Sequence, residues 1–559
     1  MPANLNTTKY IFVAGGVLSG LGKGIASASI GLLLKSRGYK VTALKIDPYI
    51  SLDAGTMRPA EHGETFVTKD GGEIDEDIGH YERFINISLK KDSNITTGKV
   101  FQAVIDKERH FFYQGRDAEM FPDVINQIKE MIYTPTVGYD FAVVEIGGTT
   151  GDLENQVFLN AAREIGKEGK AIYIMVTYLP FLKNVGELKT KPTQHAVTRL
   201  REIGIVPDFI ITRNEIPIDQ PRIESIAKRC FIREEDIIDD PDLESIYDVP
   251  IKFEEANLTQ KILEKFGIKD GKKKDLVSWR EFVRKVKEPK GEVKIALVGK
   301  YVRHGSADHH DVYISVVEAL KHAGAYNQVK VNITPISSEE IENQDLNFLK
   351  EFDGIVVPQG WGSRGTEGKI QAIKFARENK IPYLGLCFGM QMAVIEFARN
   401  VLGIKKANST EVDPKTEDPV IHIMPEQEKY LAKRQYGGTI RLGQWPCRIK
   451  EKTLLAECYR SHVKFPSEVL QASGFKLIHE RHRHRYEFNL KYKAKMEKAG
   501  LIISGTSPDK KLVEAVELSR DVHPFFLGTQ FHPEYQSRPL KPHPIFCEFI
   551  EKAFKLLNC

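Results

Sequence analysis

The sequence predicts two α/β domains in tandem. Two observations carry this: strand-turn-helix units recur in both halves of the 559-residue chain, and a stretch rich in lysine and glycine separates them. In the first half YIFVAGG (10–16) reads as a strand, IASASIGLLLKSRG (25–38) as a helix and YKVTALKI (39–46) as the next strand. FAVVEI (141–146), AIYIMVTY (171–178) and FIIT (209–212) continue the alternation, so a doubly wound parallel sheet is expected. Over 269–291 a linker with one helical piece, LVSWREFVRKV, is expected, leaving domains at 1–268 and 292–559. The second domain restarts at VKIALVGKY (293–301) and continues through DGIVVP (353–358), IPYLGLC (381–387), the helix FGMQMAVIEFA (388–398) and PFFLGTQFHPE (524–534).

Composition narrows the function classes. Apolar residues at 41% and charged residues at 28% are ordinary for chains that bury large cores. Lys plus Arg number 80 against 76 for Asp plus Glu, so no overall field points to nucleic acid or a membrane surface, and neither partner is expected. No apolar run approaches the roughly 20 residues that span a bilayer, and the first residues do not read as a signal peptide; a cytoplasmic enzyme is expected. Six scattered cysteines (230, 387, 447, 458, 547 and 559) give neither a disulfide framework nor a CxxC metal pair.

The turn from Gly15 to Gly24, between strand and helix, can surround phosphate oxygens with backbone N–H groups, and Lys23 adds a cation. Gly24 stands where a phosphate loop usually carries a magnesium-binding Ser or Thr, so metal ligands must come from elsewhere. Asp77, in an acidic loop, and Glu145, at the carboxyl end of a strand, are the candidates for Mg2+. Lys45, also at a strand end, can neutralise charge during phosphoryl transfer. GELKTKPTQH (186–195) offers Lys189, Thr190, Lys191, Pro192, Thr193 and Gln194 to a second polyanion, with a solvated basic turn as the alternative.

In the second half Cys387 sits in GLCFGMQ, a tight strand-to-helix turn whose small residues expose the thiol at a helix amino terminus. His532 and Glu534 in QFHPE supply a base and a carboxylate to orient it, which suits attack on a carboxamide. PQGWG (358–362) follows a strand and can give backbone donors to an oxyanion. The run ERHRHRYE (480–487) reads either as a nucleic-acid or metal patch or as a charged strand face; the other cysteines read as core or surface thiols.

Together GGVLSGLGKGI, KIDPYISLDAGTM, GHYERF, EIGGTTGDLE, GELKTKPTQH, GLCFGMQ, ANSTEVD, ERHRHRYEFN and QFHPE resemble the CTP synthases, from about residue 9 to about 550. The resemblance implies a P-loop-like synthetase domain followed by a flavodoxin-like class I glutamine amidotransferase domain. It implies amination of UTP to CTP through a 4-phosphorylated intermediate, with ATP, Mg2+ and glutamine-derived ammonia passed between the domains. By motif, ATP would meet Gly20, Leu21, Gly22, Lys23, Gly24 and Ile25, with Asp242 and Leu243 on the adenine side. UTP or inhibitory CTP would meet Ser19, Asp152, Leu153, Glu154 and Lys189 to Gln194; Ser225 stands where relatives carry a lysine toward the nucleotide. Glutamine would meet Gly360, Phe388, Gly389, Met390, Gln391, Glu411 and Arg485, the last as partner of its α-carboxylate. The resemblance also implies GTP as activator, with HGSADHHD (304–311) in its surroundings, and a homotetramer. Another ATP-dependent amidoligase of the same two-domain logic explains the phosphate turn and the cysteine but not KTKPTQH. A scaffold subunit is disfavoured by the intact Lys23, Lys45, Asp77, Glu145, Cys387, His532 and Glu534.

Overall fold

The computed structural model describes residues 7–16, 18, 20–269, 275–300, 303–304, 307–308, 311–433, 436–461, 468–470 and 475–556. The chain divides into two units, 1–54 with 77–280 and 55–76 with 281–559. This departs from the sequence expectation of cuts around a linker at 269–291. The segment 55–76 belongs to the second unit because its side chains pack there: Phe66 lies edge-on to Tyr535 with ring centres 5.1 Å apart, and Glu73 pairs with Arg483 at 2.9 Å. The expected helical piece forms as Val277–Lys287, and the division falls inside it.

Among the described residues, the main sheet of the first unit has seven strands. Their spatial order is Ile237–Pro241, Phe209–Asn214, Ala171–Leu179, Lys9–Gly15, Phe141–Ile146, Val41–Asp47 and Asn94–Thr96. Every pairing is parallel, as the apolar runs predicted, since strands covered on both faces need no polar alternation. The core runs from Tyr10 and Phe12 through Val144 and Met175 to Ile210. Helix Lys23–Ser36 packs close to helix Asp77–Ile85, and Gly31 permits it: a Cβ there would lie 2.5 Å from Ile85. Parallel strands present their carboxyl ends to one edge, where ligands of such sheets bind.

In the second unit the strands Lys330–Ser337, Glu292–Gly299, Gly354–Val357, Tyr383–Leu386 and Phe526–Thr529 run parallel in that order. An antiparallel half then extends the sheet through Val513–Leu518, Leu501–Thr506, Arg441–Lys450, Phe475–His484 and Glu468–Leu470. Apolar layers cover both faces of the parallel part, one around Leu297, Leu320 and Phe549, the other around Val357, Met390 and Phe526. ERHRHRYE proves to be strand, not a nucleic-acid or metal patch: Arg481 to Glu487 are nearly all buried, and no group of three metal-ligating side chains occurs among the described residues. No described helix is long and apolar enough to cross a membrane. Cys230, Cys447, Cys458 and Cys547 are buried thiols; Cys559 lies outside the described residues.

Candidate active sites

The glycine-rich turn leaves strand Lys9–Gly15 and caps helix Lys23–Ser36 through Gly22, whose φ of 78° an L side chain rarely adopts. Lys23 is folded back under the turn, donating to Gly148 O at 3.1 Å. Burial lowers its pKa, partly offset by the carboxylates of Glu145, Asp77 and Asp47. Parallel register sets Lys45 beside Glu145. The Lys45 ammonium lies between two carboxylates, 2.9 Å from Glu145 and in direct contact with Asp77. Burial would push Asp77 up, but Lys45 and His80 outweigh it and hold the carboxyl below its usual range. Glu145, deeper, goes the other way: burial and the Asp77 charge raise it despite Lys45, and Tyr81 donates to its other oxygen. A Cβ on Gly24 would fall 2.0 Å from Asp77 Oδ1, so the carboxylate occupies the space a Ser or Thr hydroxyl would need.

Two carboxylates converging beside a phosphate turn form an oxygen donor set of the kind magnesium completes with nucleotide phosphates and water, and to this extent the residues fit the ion. Leu21 is buried and Gly20, Gly22 and Ile25 are exposed or partly so along the turn. Asp242 is exposed and pairs with Arg213 at 3.0 Å; Arg213 passes 3.7 Å from where a Gly22 Cβ would stand, so Asp242 and the half-buried Leu243 follow a strand that ends beside the turn.

The second polyanion segment reaches the same edge. Gly16 touches Thr177, a Cβ there being 3.0 Å from its Oγ1, and Thr177 hydrogen-bonds Thr193 at 3.3 Å. Lys191, Pro192, Thr193 and Gln194 form the first turn of helix Lys191–Glu202, and Gln194 donates to Thr190 at 2.9 Å. Lys189 and Arg222 both pair with Glu187. Ser225 lies one turn beyond Arg222 on helix Gln220–Cys230 and is half-buried. Asp152 accepts from Thr149 N at 2.6 Å, while Leu153 and Glu154 are exposed. Ser19 and residues 305, 306, 309 and 310 of the expected activator surroundings lie outside the described residues.

In the second unit Cys387 stands between strand Tyr383–Leu386 and helix Phe388–Asn400 with φ 52° and ψ −99°, a strained bend, and the residue is buried rather than exposed as the small flanking residues suggested. Its backbone is pinned at both sides, the N–H by Thr529 O at 2.7 Å and the carbonyl by Gln391 N at 3.1 Å. As the first helical residue, Phe388 has an N–H with no partner inside the helix. His532 Nδ1 meets Glu534 Oε1 at 2.6 Å. Its Nε2 is buried without a hydrogen-bond partner, and the nearby Cys387 sulfur adds an electrostatic pull on the ring. Burial opposes the imidazolium, but Glu534 and Cys387 outweigh it and raise the His532 pKa to about 10.

A cleft lined by Gly360, Cys387, Phe388, Gln391, Glu411 and Arg485 opens beside this pair. Arg485 Nη1 is buried without a hydrogen-bond partner, an orphan donor that a carboxylate would satisfy. Glu411 is pushed up by burial and accepts from Gly362 N at 2.8 Å. Gln391 donates to Tyr486 O at 3.0 Å. Gly389 and Met390 are core of the helix: a Gly389 Cβ would lie 2.0 Å from Val357 O, and Met390 packs on Gly528.

Several residues at these sites were not singled out from sequence. Gln530 approaches Cys387 Sγ at 3.5 Å, Arg483 O lies 3.7 Å from the same sulfur, and Arg213 faces the phosphate turn. Lys300 and Lys369 are buried against the 358–362 loop. Lys300, Lys369 and Arg213 stand in no motif with a local signature; Gln530 and Arg483 lie within QFHPE and ERHRHRYE, but only proximity in the fold gives them a place beside Cys387.

Residues 9–268 match the family "CTP synthase N-terminus" and residues 309–552 match "Glutamine amidotransferase class-I". The CTP synthase of Caldanaerobacter subterraneus subsp. tengcongensis is 51% identical over 98% of this chain and 98% of its own. That of Methanocaldococcus jannaschii is 49% identical over 96% and 97%. A solved glutaminase domain of Trypanosoma brucei CTPS with bound acivicin is 36% identical, covering 47% of this chain and 94% of that one at a TM-score of 0.40. With both matched regions and near-complete coverage at this identity, the chain belongs to the CTP synthase family, glutamine-dependent ligases that aminate UTP to CTP.

Proposed function

We propose that two centres in this chain divide the reaction. In the second unit the Cys387 sulfur attacks the carboxamide carbon of glutamine, and the C–N bond breaks as His532 delivers a proton to the leaving nitrogen. Glu534 holds the imidazole, the N–H groups of Phe388 and Gly360 receive the oxyanion, and water then releases glutamate from the thioester. Arg485 takes the α-carboxylate and Glu411 the α-ammonium of the substrate. The observation that carries this reading is the Cys387 bend with the buried His532–Glu534 pair beside it.

In the first unit ATP transfers its γ-phosphoryl group to O4 of UTP. Ammonia passed from the glutaminase centre attacks C4 and phosphate leaves, giving CTP, ADP, phosphate and glutamate. Lys23 and the turn from Gly20 to Ile25 hold the ATP phosphates, and Lys45 offsets the charge that develops in transfer. Asp77 and Glu145 would hold Mg2+, which when bound neutralises phosphate charge. Asp242 and Leu243 flank the adenine, while Ser19, Asp152 to Glu154, Lys189 to Gln194 and Ser225 line the UTP or CTP site. Family resemblance supports GTP activation, CTP inhibition, a homotetramer and a cytoplasmic location.

A coupled assay with UTP, ATP and either glutamine or ammonium tests the division. Cys387→Ala is expected to lower glutamine-driven CTP formation by at least about 10³-fold while ammonia-driven formation persists; equal loss of both refutes it. Lys23→Ala is expected to remove both routes while glutamine hydrolysis survives in part, and unchanged CTP formation refutes the phosphate-site assignment.

A further inference from the structure

The loop 358–362 follows strand Gly354–Val357 and carries Gly360. Lys369, from helix Thr366–Asn379, donates to Pro358 O at 2.8 Å and to Gln359 O at 3.5 Å. Lys300, just past strand Glu292–Gly299, donates to Trp361 O at 3.0 Å and to Gly362 O at 2.5 Å. Both side chains are buried, and neither forms an ion pair among the described residues. They flank the glycine: a Cβ on Gly360 would sit 3.1 Å from Lys300 Cδ and 3.4 Å from Lys369 Nζ. They also lie over the ring of Phe388, the residue after the nucleophile, at 4.1 and 5.3 Å from its centre.

Peptide geometry gives these contacts a direction. In a planar trans peptide the C=O of one residue and the N–H of the next point opposite ways. Gln359 O is held by Lys369 and by the Tyr313 hydroxyl at 3.3 Å, so the Gly360 N–H must point away from both. The 361–362 peptide is held at both ends, its oxygen by Lys300 and its N–H by Glu411. Tyr313 joins the two clamps, since its hydroxyl also accepts from Lys300 N at 3.1 Å. A loop tied at four carbonyls cannot turn the Gly360 peptide over without breaking buried hydrogen bonds, which orders the donor before substrate arrives.

We propose that Lys300 and Lys369 are positioning residues of the glutaminase centre, fixing the Gly360 N–H as an oxyanion donor by holding the carbonyls of Pro358, Gln359, Trp361 and Gly362. Burial pushes Lys369 well below the usual lysine range and Lys300 down to about 8; an ammonium or a neutral amine each has the two N–H groups that the clamp uses. The inference rests on Cys387 being the nucleophile.

The test separates acylation, whose transition state carries an oxyanion, from alkylation of the same sulfur, whose transition state carries none. In the full chain, Lys300→Met and Lys369→Met are expected to lower kcat for glutamine hydrolysis by about 10²-fold, the cost of losing one oxyanion donor. KM should stay within about threefold and the rate of Cys387 alkylation by iodoacetamide within about twofold of wild type, because nucleophile and cleft are intact. Tyr313→Phe, which removes one hydroxyl from a ring that still packs, should lower kcat in the same direction by a smaller factor. Wild-type kcat in all three variants overturns the proposal, as does an equal loss in hydrolysis and alkylation. Cys387→Ala runs alongside: if that variant hydrolyses glutamine, the nucleophile assignment itself is wrong and the inference goes with it; if it is inactive while the lysine variants run at full rate, the inference alone fails.

Discussion

His532 is the residue at which charge and stability meet. Buried beside Glu534, it is held protonated to about pH 10 against an ordinary value of 6.5. A folded-state pKa raised above the unfolded one contributes stability that is complete below about pH 6.5 and is lost as pH climbs toward 10. The melting temperature of wild type should therefore exceed that of His532→Asn most below pH 6.5, with the gap closing by pH 10; a gap that stays flat across that range overturns the ion-pair assignment. Cys387, His532 and Glu534 were legible in sequence because the bend and QFHPE are contiguous signatures. Lys300 and Lys369 were not, because a lone lysine looks like surface until the fold buries it, and Gln530, though inside QFHPE, shows its part only once the fold sets it beside the Cys387 sulfur. Arg485 lay between: its run was visible, but the role proposed for it came through family resemblance, and its Nη1 is a buried donor without a hydrogen-bond partner.

At the scale of elements, the Cys387 bend works only because strand and helix approach closely. A Cβ on Gly389 would lie 2.0 Å from Val357 O, and one on Gly385 would lie 2.9 Å from the carbonyl carbon of Gly389. Val357 O is backbone and cannot move aside as a side chain would, so Gly389→Ala should destabilise the second unit by about 1–3 kcal/mol and lower glutaminase kcat. Urea unfolding followed by loss of glutamine hydrolysis measures both, and an unchanged midpoint overturns the packing argument. Most of the parallel strands were legible because they are uninterrupted apolar runs; Asn94–Thr96, Ile237–Pro241 and Lys330–Ser337 were not, being short or interrupted by polar residues. The antiparallel half was not, since Phe475–His484 carries polar groups on both faces. On one face Glu480 pairs with His543 at 3.1 Å and His482 with His484 at 3.1 Å; on the other Arg481 donates to Val67 O and Arg483 pairs with Glu73. Period-2 patterning reports one wet face and one dry, and a strand buried on both sides by ion pairs gives no such signal.

At the scale of the molecule, the main departure from sequence reasoning is the excursion 55–76, which lies inside the first matched region yet packs in the second unit. It was not legible because the deciding contacts are made by ordinary residues: Glu64 accepts from Ser315 N at 3.0 Å, Thr65 O accepts from the Tyr535 hydroxyl, and Glu73 holds Arg483. Removing one member of a buried pair leaves an uncompensated charge, so Glu73→Ala should cost about 3–5 kcal/mol in the second unit. Thermal inactivation of glutamine hydrolysis should shift down in that variant while the temperature at which ammonia-driven CTP formation fails moves less; equal shifts overturn the assignment of this segment. The chain therefore crosses from one unit to the other three times rather than once. A genetic map would register this as a trespass: lesions in codons 55 to 76 would fall in a complementation screen with defects of nitrogen release, although their positions sit inside the block that handles the nucleotides, and no single scission could deliver the two catalysts as whole polypeptides.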